Sequence, residues 1–176
     1  MKKMAIIGSG LSGLTLAHLL KKRFEITLFE KARGTGGRLA TRRADPYSFD
    51  HGAQYFTART NPFQKFIEPL IDSGLIQPWT ARYVKFEGSQ IIERADWAMD
   101  EPRYVGVPSM NSIAKYLAQD LDIRANTKIS SLNQIDKWQL TDEQGLSYDN
   151  FDSVISTVPA PQALELLPEN FEHYQS

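Results

Sequence analysis

The stretch that decides the fold is MAIIGSGLSGLTLAHLLKKRFEITLFE, which runs from Met4 to Glu30. It begins with a short apolar run, passes through three glycines into leucines at helical spacing, and ends with a second apolar run closed by an acid. Strands of parallel sheets are continuous apolar runs, whereas an amphipathic helix repeats its apolar residues every three or four positions. The stretch therefore predicts a strand, a helix and a parallel strand joined by a right-handed crossover.

The three glycines, Gly8, Gly10 and Gly13, follow the pattern G-x-G-x-x-G between the first strand and the helix. In a dinucleotide-binding turn the first glycine permits a tight bend, the second lets the backbone approach a pyrophosphate, and the third lets the helix pack closely on the sheet. Backbone N–H groups at the start of the helix, which include those of Leu11 and Ser12, then favour phosphates. We therefore expect a dinucleotide here, with a purely structural glycine turn as the competing interpretation.

An acid closes the second strand. Glu30 follows Gly8 by 22 positions (30 − 8), close to the spacing of about 20 residues that is typical of a ribose-binding acid. A carboxylate at this place accepts hydrogen bonds from ribose hydroxyls and repels a 2′-phosphate. The sequence therefore disfavours NADP in this cleft, and the competing interpretation of Glu30 is a surface glutamate.

A second glycine-rich segment, KARGTGGR, follows the acid from Lys31 to Arg38. Its pair Gly36 and Gly37 lets the backbone crowd the same pyrophosphate from the other side, and Arg38 can offset the phosphate charge. FAD is longer than NAD and is wrapped further, so this segment favours FAD over a plain NAD dehydrogenase. The alternative for Arg38 is a solvated loop arginine, and both interpretations stay open for the pair at positions 42 and 43.

The composition is that of a soluble globular chain of 176 residues, 41% hydrophobic and 23% charged. The net charge of −1 gives no field that draws the chain to nucleic acid or to an anionic membrane. The absence of cysteine excludes disulfides, thiolate metal sites and a flavin tethered through sulfur. No segment reaches the roughly 18 apolar residues of a membrane span, and no acid and histidine cluster has metal-ligand spacing. We expect a cytoplasmic protein that uses no metal.

The rest of the chain has weaker patterns. The predicted elements are a mixed segment from Ser48 to Thr57, a helix capped by Asn61 and kinked at Pro69, a hairpin from Tyr83 to Arg94, a helix from Met110 to Leu121, strands between Lys128 and Thr141, a buried strand from Val154 to Val158, and a short helix from Pro161 to Leu167.

The predicted fold class is α/β, a Rossmann-like FAD-binding domain with a parallel sheet flanked by helices. We expect residues 1–58 and 104–167 to form this domain, and residues 59–103 to begin a substrate domain. Residues 168–176 are a polar tail.

Taken together, these motifs resemble those of a known protein family. The segment from Gly8 to Gly13, Glu30 and the Gly-Gly-Arg that ends at Arg38 resemble the flavin-containing amine oxidase superfamily. The continuations GRLATRR and FDHGAQYFTAR are most similar to its renalase branch, particularly the bacterial members. The segment DSVISTVPAPQALELL resembles the strand and proline turn that follow the adenine-contacting strand of the family.

The resemblance implies further site residues. In the superfamily a D-x-G-A segment runs beside the flavin, and here it is Asp50, Gly52 and Ala53, followed by Gln54 and Tyr55. A short later strand resembles the adenine-contacting segment and places Ile129 there through its backbone. The predicted cofactor-binding residues are therefore Gly8, Gly10, Leu11, Ser12, Gly13, Glu30, Lys31, Gly36, Gly37, Arg38, Gly52, Ala53, Gln54, Tyr55 and Ile129.

The resemblance also implies a chemistry. Renalase-like proteins are taken to oxidise dihydronicotinamide isomers, with hydride passing to FAD and then electrons to oxygen, so the expected partner is a small molecule. Hydride transfer needs positioning more than an acid or base. No catalytic residue is therefore assigned. His51 is a candidate proton donor beside a competing role as a backbone-bonding histidine. Aromatic residues around the predicted hairpin either line a substrate pocket or pack: Trp79, Tyr83, Phe86 and Trp97.

Two alternatives stay open. One is an amine oxidase acting on a small amine, and the other is a FAD-binding module without turnover. Members of the resembled family are longer and carry a further substrate-domain segment and a final flavin-contacting segment, so we expect a C-terminally truncated chain. Strand edges left bare by truncation are expected to promote self-association.

Overall fold

The computed structural model describes residues 1–97 and 100–167. The chain forms two compact units. The first consists of Met1–Leu39 and the described residues from Ala114 onward, and the second is Ala40–Ile113. The predicted division at residues 58 and 104 concerns cofactor and substrate roles, and it stays a prediction.

The described chain contains fourteen strands and four α-helices. In chain order they are β1 (Lys2–Ile7), α1 (Leu11–Leu20), β2 (Phe24–Phe29), β3 (Thr41–Ala44), β4 (Tyr47–Asp50), β5 (Phe56–Thr57), α2 (Asn61–Asp72), β6 (Ile76–Pro78), β7 (Arg82–Glu87), β8 (Gln90–Asp96), β9 (Arg103–Gly106), α3 (Asn111–Leu117), β10 (Asp122–Arg124), β11 (Ile129–Gln134), β12 (Trp138–Asp142), β13 (Ser147–Phe151), β14 (Ser153–Ser156) and α4 (Ala160–Leu164). A short 3-10 helix covers Gly37–Leu39.

The first unit is built on a parallel sheet with the strand order β10-β2-β1-β14. β1 is central because its last four residues are all buried and it pairs in parallel with β2 on one side and β14 on the other. α1 connects β1 to β2 and buries Gly13, Leu14 and Ala17. The predicted strand, helix and parallel strand are therefore confirmed, as is the α/β fold class.

A second, antiparallel sheet of β11, β12 and β13 completes the first unit. Its apolar side chains and those of the parallel sheet share one core, with the Phe29 ring at its centre. That ring meets Tyr148 edge-on at 4.9 Å between centroids and Phe151 at 6.0 Å. The buried members of this core are Ala5, Ile7, Phe29, Ile129, Leu140, Phe151 and Leu166.

The second unit combines two hairpins, a three-stranded sheet and α2. β3 pairs with β4 and β7 with β8, while β9 lies between β5 and β6, all antiparallel. α2 buries Ile67 and Leu70 toward β6. No helix among the described residues is long and apolar enough to cross a membrane.

Three predicted boundaries were wrong, and one of them is that of the last helix, which ends at Leu164 and not at Leu167. The N-cap of α2 is Thr60, not Asn61, because the Gln64 N–H already donates to the Thr60 carbonyl at 2.9 Å. The helix predicted from Met110 to Leu121 ends at Leu117, and Asp120 then takes a left-handed backbone with φ of 60°. This left-handed residue turns the chain into β10, a strand that the sequence patterns did not predict.

A buried carboxylate organises the turn between β12 and β13. The Asp142 side chain is 6% exposed, and its Oδ1 accepts the N–H groups of Gln144 and Leu146, both at 2.9 Å. The Tyr148 hydroxyl donates to Oδ2 at 3.1 Å. Burial acts to raise the pKa of Asp142, but these donated hydrogen bonds outweigh burial and hold the pKa below its ordinary value.

We predict that Asp142→Asn removes a pH-dependent part of the stability. Because the folded pKa lies below the unfolded one, the carboxylate stabilises the fold above about pH 4 and loses this effect as the pH falls through the folded pKa. The urea midpoint of the variant should therefore lie below that of the parent near pH 7, and the gap should narrow by about pH 3. Asp136→Asn, at an exposed position, is the control, and an unchanging gap between parent and Asp142→Asn would contradict the prediction.

Candidate functional site

The glycine turn after β1 needs a residue without a side chain at its first position. Gly8 has φ of 101°, a conformation that other residues rarely adopt. Its N–H donates to the Phe29 carbonyl at 2.8 Å, which ties the turn to the end of β2. A Cβ at Gly8 would also lie 2.8 Å from the Thr157 hydroxyl oxygen. The tight turn predicted for Gly8 is therefore present.

The other two glycines differ in their surroundings. A Cβ at Gly13 would lie 2.1 Å from the Gly8 carbonyl oxygen, a distance that no side chain tolerates. A Cβ at Gly10 would meet no atom within 4 Å, although Gly10 is the N-cap of α1. Gly13 thus serves the packing of helix against turn, whereas the space over Gly10 is open.

The Glu30 carboxylate joins the ends of β1 and β2. Its Oε2 accepts hydrogen bonds from the Ser9 N–H at 2.9 Å and the Ser9 hydroxyl at 2.8 Å. Its Oε1 accepts the Ala32 N–H at 2.9 Å. Glu30 is 8% exposed and Ser9 is fully buried, so a carboxylate that is buried here is compensated by three donors. The interpretation of Glu30 as a plain surface glutamate was wrong.

The glycine pair Gly36 and Gly37 lies directly against the glycine turn that follows β1. The Gly36 N–H donates to the Ser9 carbonyl at 3.0 Å, and Gly10 and Gly36 form a parallel bridge. Gly37 has φ of 51°, and a Cβ there would be 3.3 Å from the Gly10 Cα. The two glycine segments and Glu30, which are separate in sequence, therefore meet at the N-terminus of α1.

The remaining predicted residues of the first unit lie around this meeting point. Lys31 is exposed, and its ammonium donates to the Gln162 side-chain oxygen of α4 at 3.0 Å. Arg38 is exposed, as is Ser12, while Leu11 is half-buried. Ile129 is 4% exposed and begins β11, two residues after Thr127, whose N–H donates to the Glu30 carbonyl at 2.9 Å.

The segment that was predicted to face the flavin belongs to the second unit. It therefore lies in a different unit from the glycine turns and Glu30. Gly52, Ala53, Gln54 and Tyr55 lie between β4 and β5, and all but Ala53 are exposed. His51 is also exposed.

Asp50, which ends β4, has a role inside its own unit. Its carboxylate accepts the Thr41 hydroxyl at 2.6 Å and the Met110 N–H at 3.2 Å. The Asn111 N–H in turn donates to the Thr41 hydroxyl oxygen at 3.3 Å. Asp50 therefore holds the segment that leads into α3.

The aromatic residues predicted around the hairpin separate into two groups. Trp79 and Trp97 pack together, and Tyr55 joins them. The Tyr83 hydroxyl instead donates to Glu93 across the β7–β8 hairpin, and Phe86 is 61% exposed.

The sequence patterns did not predict three residues that make contacts around the candidate site or the aromatic residues. Ser9 occupies a variable position of the glycine pattern, yet both its donors bind Glu30. The Thr157 hydroxyl lies 3.0 Å from the Ile7 carbonyl and 3.1 Å from that of Gly8, across about 150 positions of sequence. Arg103 stacks on the Trp97 ring at 4.4 Å. Only Thr157 had a local signal, since it precedes a Val-Pro that ends a strand.

The geometry fits a pyrophosphate. The first N–H groups of a helix have no intrahelical partner, α1 has no side-chain cap, and no protein atom would meet a Cβ at Gly10. The Gly36 backbone closes the opposite side. Within residues 1–97 and 100–167, no group of three histidine or acidic side chains could hold a metal ion.

Sequence comparison finds two families in this chain. Residues 6–70 match the NAD(P)-binding Rossmann-like domain, and residues 82–175 match the flavin containing amine oxidoreductase family. The chain is 29% identical to renalase of Mus musculus over 180 aligned positions, which cover 94% of this chain and 49% of the mouse protein.

Structural comparison finds the same kind of fold. A protein assigned as a protoporphyrinogen oxidase from Exiguobacterium sp. 255-15 aligns with a TM-score of 0.72 and 16% identity, over 96% of this chain and 62% of that one. A triple mutant of putrescine oxidase redesigned in cofactor binding aligns with a TM-score of 0.70 and 13% identity, over 94% and 60%. The chain thus spans about half of the mouse relative and less than two thirds of these structures.

We predict that one added methyl group lowers stability at Gly13 and leaves it almost unchanged at Gly10. Gly13→Ala should lower the free energy of unfolding by about 1–3 kcal/mol or more, because the new Cβ overlaps the Gly8 carbonyl. Gly10→Ala should change it by less than about 0.5 kcal/mol, because its Cβ points into open space. Urea unfolding of the cofactor-free chain measures both, and equal losses would contradict the difference in packing.

Proposed function

This chain belongs to the flavin containing amine oxidoreductase family, and we propose that it binds FAD at the N-terminus of α1 and acts as an FAD-dependent oxidoreductase on a small molecule. The family is a flavin-containing one and the N-terminal match is Rossmann-like, so the predicted cofactor, FAD, is confirmed. The activity of the whole protein is the proposal. The observation that carries it is the open space over Gly10, bordered by the second glycine pair.

The first unit offers the groups that this binding needs. The N–H groups at the start of α1 and the backbone at the second glycine pair face the pyrophosphate, and Arg38 offsets its charge. A carboxylate has about four acceptor sites, and three of those on Glu30 are taken by Ser9 and Ala32. The remaining site on Oε1 accepts a ribose hydroxyl. The proposed cofactor-binding residues are Gly8, Gly10, Leu11, Ser12, Gly13, Glu30, Lys31, Gly36, Gly37, Arg38 and Ile129, with Gly52, Ala53, Gln54 and Tyr55 toward the flavin ring.

The proposed substrate is a dihydronicotinamide, as the similarity to renalase suggests. When bound, FAD supplies acceptance of a hydride from the substrate ring and transfer of two electrons and two protons to O₂, which gives H₂O₂. The chain's own part is to hold the cofactor and orient the substrate, because hydride transfer depends on positioning. No proton transfer by His51 is needed for this step.

A second candidate is oxidation of a small amine, which the family description favours. Both candidates use the same cofactor site and differ in the substrate C–H bond that gives up hydride. A FAD-binding module without turnover is the third, and it differs from both in leaving the flavin oxidised when substrates are added.

We propose the cellular location and the partners of the chain from its composition. A net charge of −1 and the absence of cysteine favour a cytoplasmic protein with small-molecule partners and without nucleic acid or membrane partners. β10 and β14 are the outer strands of the parallel sheet, and unpaired strand edges promote self-association.

We predict that Gly10→Ala purifies folded but with little flavin. The added Cβ occupies the space where the backbone must approach the pyrophosphate, so FAD affinity should fall by about tenfold or more, equivalent to about 1.4 kcal/mol. The measurement is the visible absorption spectrum of the full chain, before and after heat release, followed by titration with FAD. Leu19→Ala, an exposed change in the same helix, is the control and should keep the parent's flavin content.

The purified parent chain, loaded with FAD, tests the reaction. Hydrogen peroxide should form with isomeric dihydronicotinamides and not with small amines, and bleaching of the flavin without oxygen should follow the same order. A parent chain that takes up no FAD would refute the cofactor site. A flavoprotein reduced only by amines would favour the second candidate, and one reduced by neither would favour the binding module.

A further inference from the structure

Four segments of the second unit, three of them at or next to strands of the sheet formed by β5, β9 and β6, bring an aromatic cluster together. Tyr55 directly precedes β5, Trp79 directly follows β6, and Arg103 begins β9. The Trp79 N–H donates to the Arg103 carbonyl at 2.6 Å, so the two side chains leave neighbouring points of the backbone. Trp97, directly after β8, is fixed by its N–H on the Ala81 carbonyl at 3.0 Å.

The three rings are in mutual contact. Trp79 meets Trp97 edge-on, with centroids 4.7 Å apart and planes at 88°. Tyr55 lies 5.3 Å from Trp97 and 6.1 Å from Trp79. Tyr55 is 41% exposed and Trp79 is 39% exposed. The cluster therefore keeps two large ring surfaces accessible rather than burying them as a core would.

The Arg103 guanidinium lies over this cluster. Its Cζ is 4.4 Å from the Trp97 ring centroid and 5.8 Å from that of Tyr55. Such stacking holds a guanidinium by its face and leaves the N–H groups at its edge available to an anion. The arginine is half-buried, so an anion that pairs with it is partly shielded from water.

No carboxylate within the described ranges pairs with this guanidinium. The nearby Glu101 is paired with Arg59, whose hydrogen bond is the largest cause of the lowered pKa of Glu101, and Arg103 contributes only a lesser charge effect. Glu93 accepts the Tyr83 hydroxyl. Among residues 1–97 and 100–167, the side chain of Arg103 is thus a cation held by aromatic faces without an acidic partner.

We propose that Tyr55, Trp79, Trp97 and Arg103 form a binding site for a planar ring that carries an anionic group, such as a phosphate. The ring packs against the exposed surfaces of Tyr55 and Trp79, stacking on one and meeting the other at an angle because their planes differ by 51°. The anion binds the edge of the Arg103 guanidinium. Stacking on Trp97 and Tyr55 uses only the face of the guanidinium, so the edge of Arg103 stays available to an anion. The choice of a nicotinamide nucleotide as the probe rests on the proposed function, whereas the ring-plus-anion chemistry does not.

The test compares two probes that share a ring and differ in the anion. Nicotinamide mononucleotide and nicotinamide riboside carry a planar, oxidised ring that has no hydride to give up, so binding is measured by calorimetry on the full FAD-loaded chain without turnover. The mononucleotide should bind about tenfold or more tightly than the riboside, because its phosphate gains charge-assisted hydrogen bonds. Arg103→Gln should abolish this difference by weakening the mononucleotide alone, while Trp79→Leu should weaken both probes.

Controls separate binding from folding. Arg94→Gln removes an exposed arginine of β8 and should change neither affinity. Arg103→Lys keeps the charge and should retain part of the preference, and thermal unfolding of every variant verifies the fold. Equal affinity of the two probes for the parent, or an Arg103→Gln variant that keeps the phosphate preference and loses only thermal stability, would overturn the site.

The outcome is distinguishable from that of the proposed function. An intact phosphate preference without oxidation of any dihydronicotinamide supports the site and refutes the proposed activity. A chain that oxidises dihydronicotinamides with no preference for the phosphorylated form refutes the site and leaves the activity standing.

Discussion

The hydrogen bonds of the Glu30 carboxylate are the interaction on which the candidate site depends. A buried carboxylate is costly unless donors compensate it, and here Ser9 supplies two donors and Ala32 a third. Because Ser9 lies between the first two glycines and Ala32 lies in the second glycine-rich segment, the Glu30 side chain binds both segments. The Ser9 carbonyl extends the same arrangement to Gly36. Hydrogen bonds within the protein thus shape the proposed pyrophosphate site.

Close backbone approach is the second requirement of this arrangement. A methyl group has no room at Gly13, because the Gly8 carbonyl oxygen lies too close. The Thr157 hydroxyl likewise leaves no room for a methyl group at Gly8. Thr157, which directly follows β14, therefore supports the turn at Gly8. The space next to Gly10 stays open. This asymmetry, filled on the sheet side and empty on the helix N-terminal side, is what makes the turn suitable for a charged ligand rather than only for packing.

The sequence predicted those features that depend on neighbouring residues. The strand, helix and strand from Met4 to Glu30 and the hairpin of β7 and β8 follow from local periodicity and turn residues, and both are present. β10 was missed because three residues with one apolar side chain show no pattern, and β2 alone makes them a strand. The glycine and acid positions could be read from spacing, whereas Ser9 and Arg103 act through partners that only the tertiary structure brings near. The cofactor contacts themselves stay predictions.

The order of strands in the parallel sheet has a consequence for how the chain is made. β1 and β2 lie within the first 29 residues, but their outer neighbours β10 and β14 begin only at Asp122 and Ser153. During synthesis the apolar central pair emerges long before the strands that flank it, because 93 positions (122 − 29) separate the end of β2 from the start of β10 and 124 (153 − 29) separate it from the start of β14. Such long-range parallel pairing slows folding and leaves strand edges open to other chains. The first βαβ unit of the nascent chain therefore keeps two unpaired strand edges until the later part of the chain has been made.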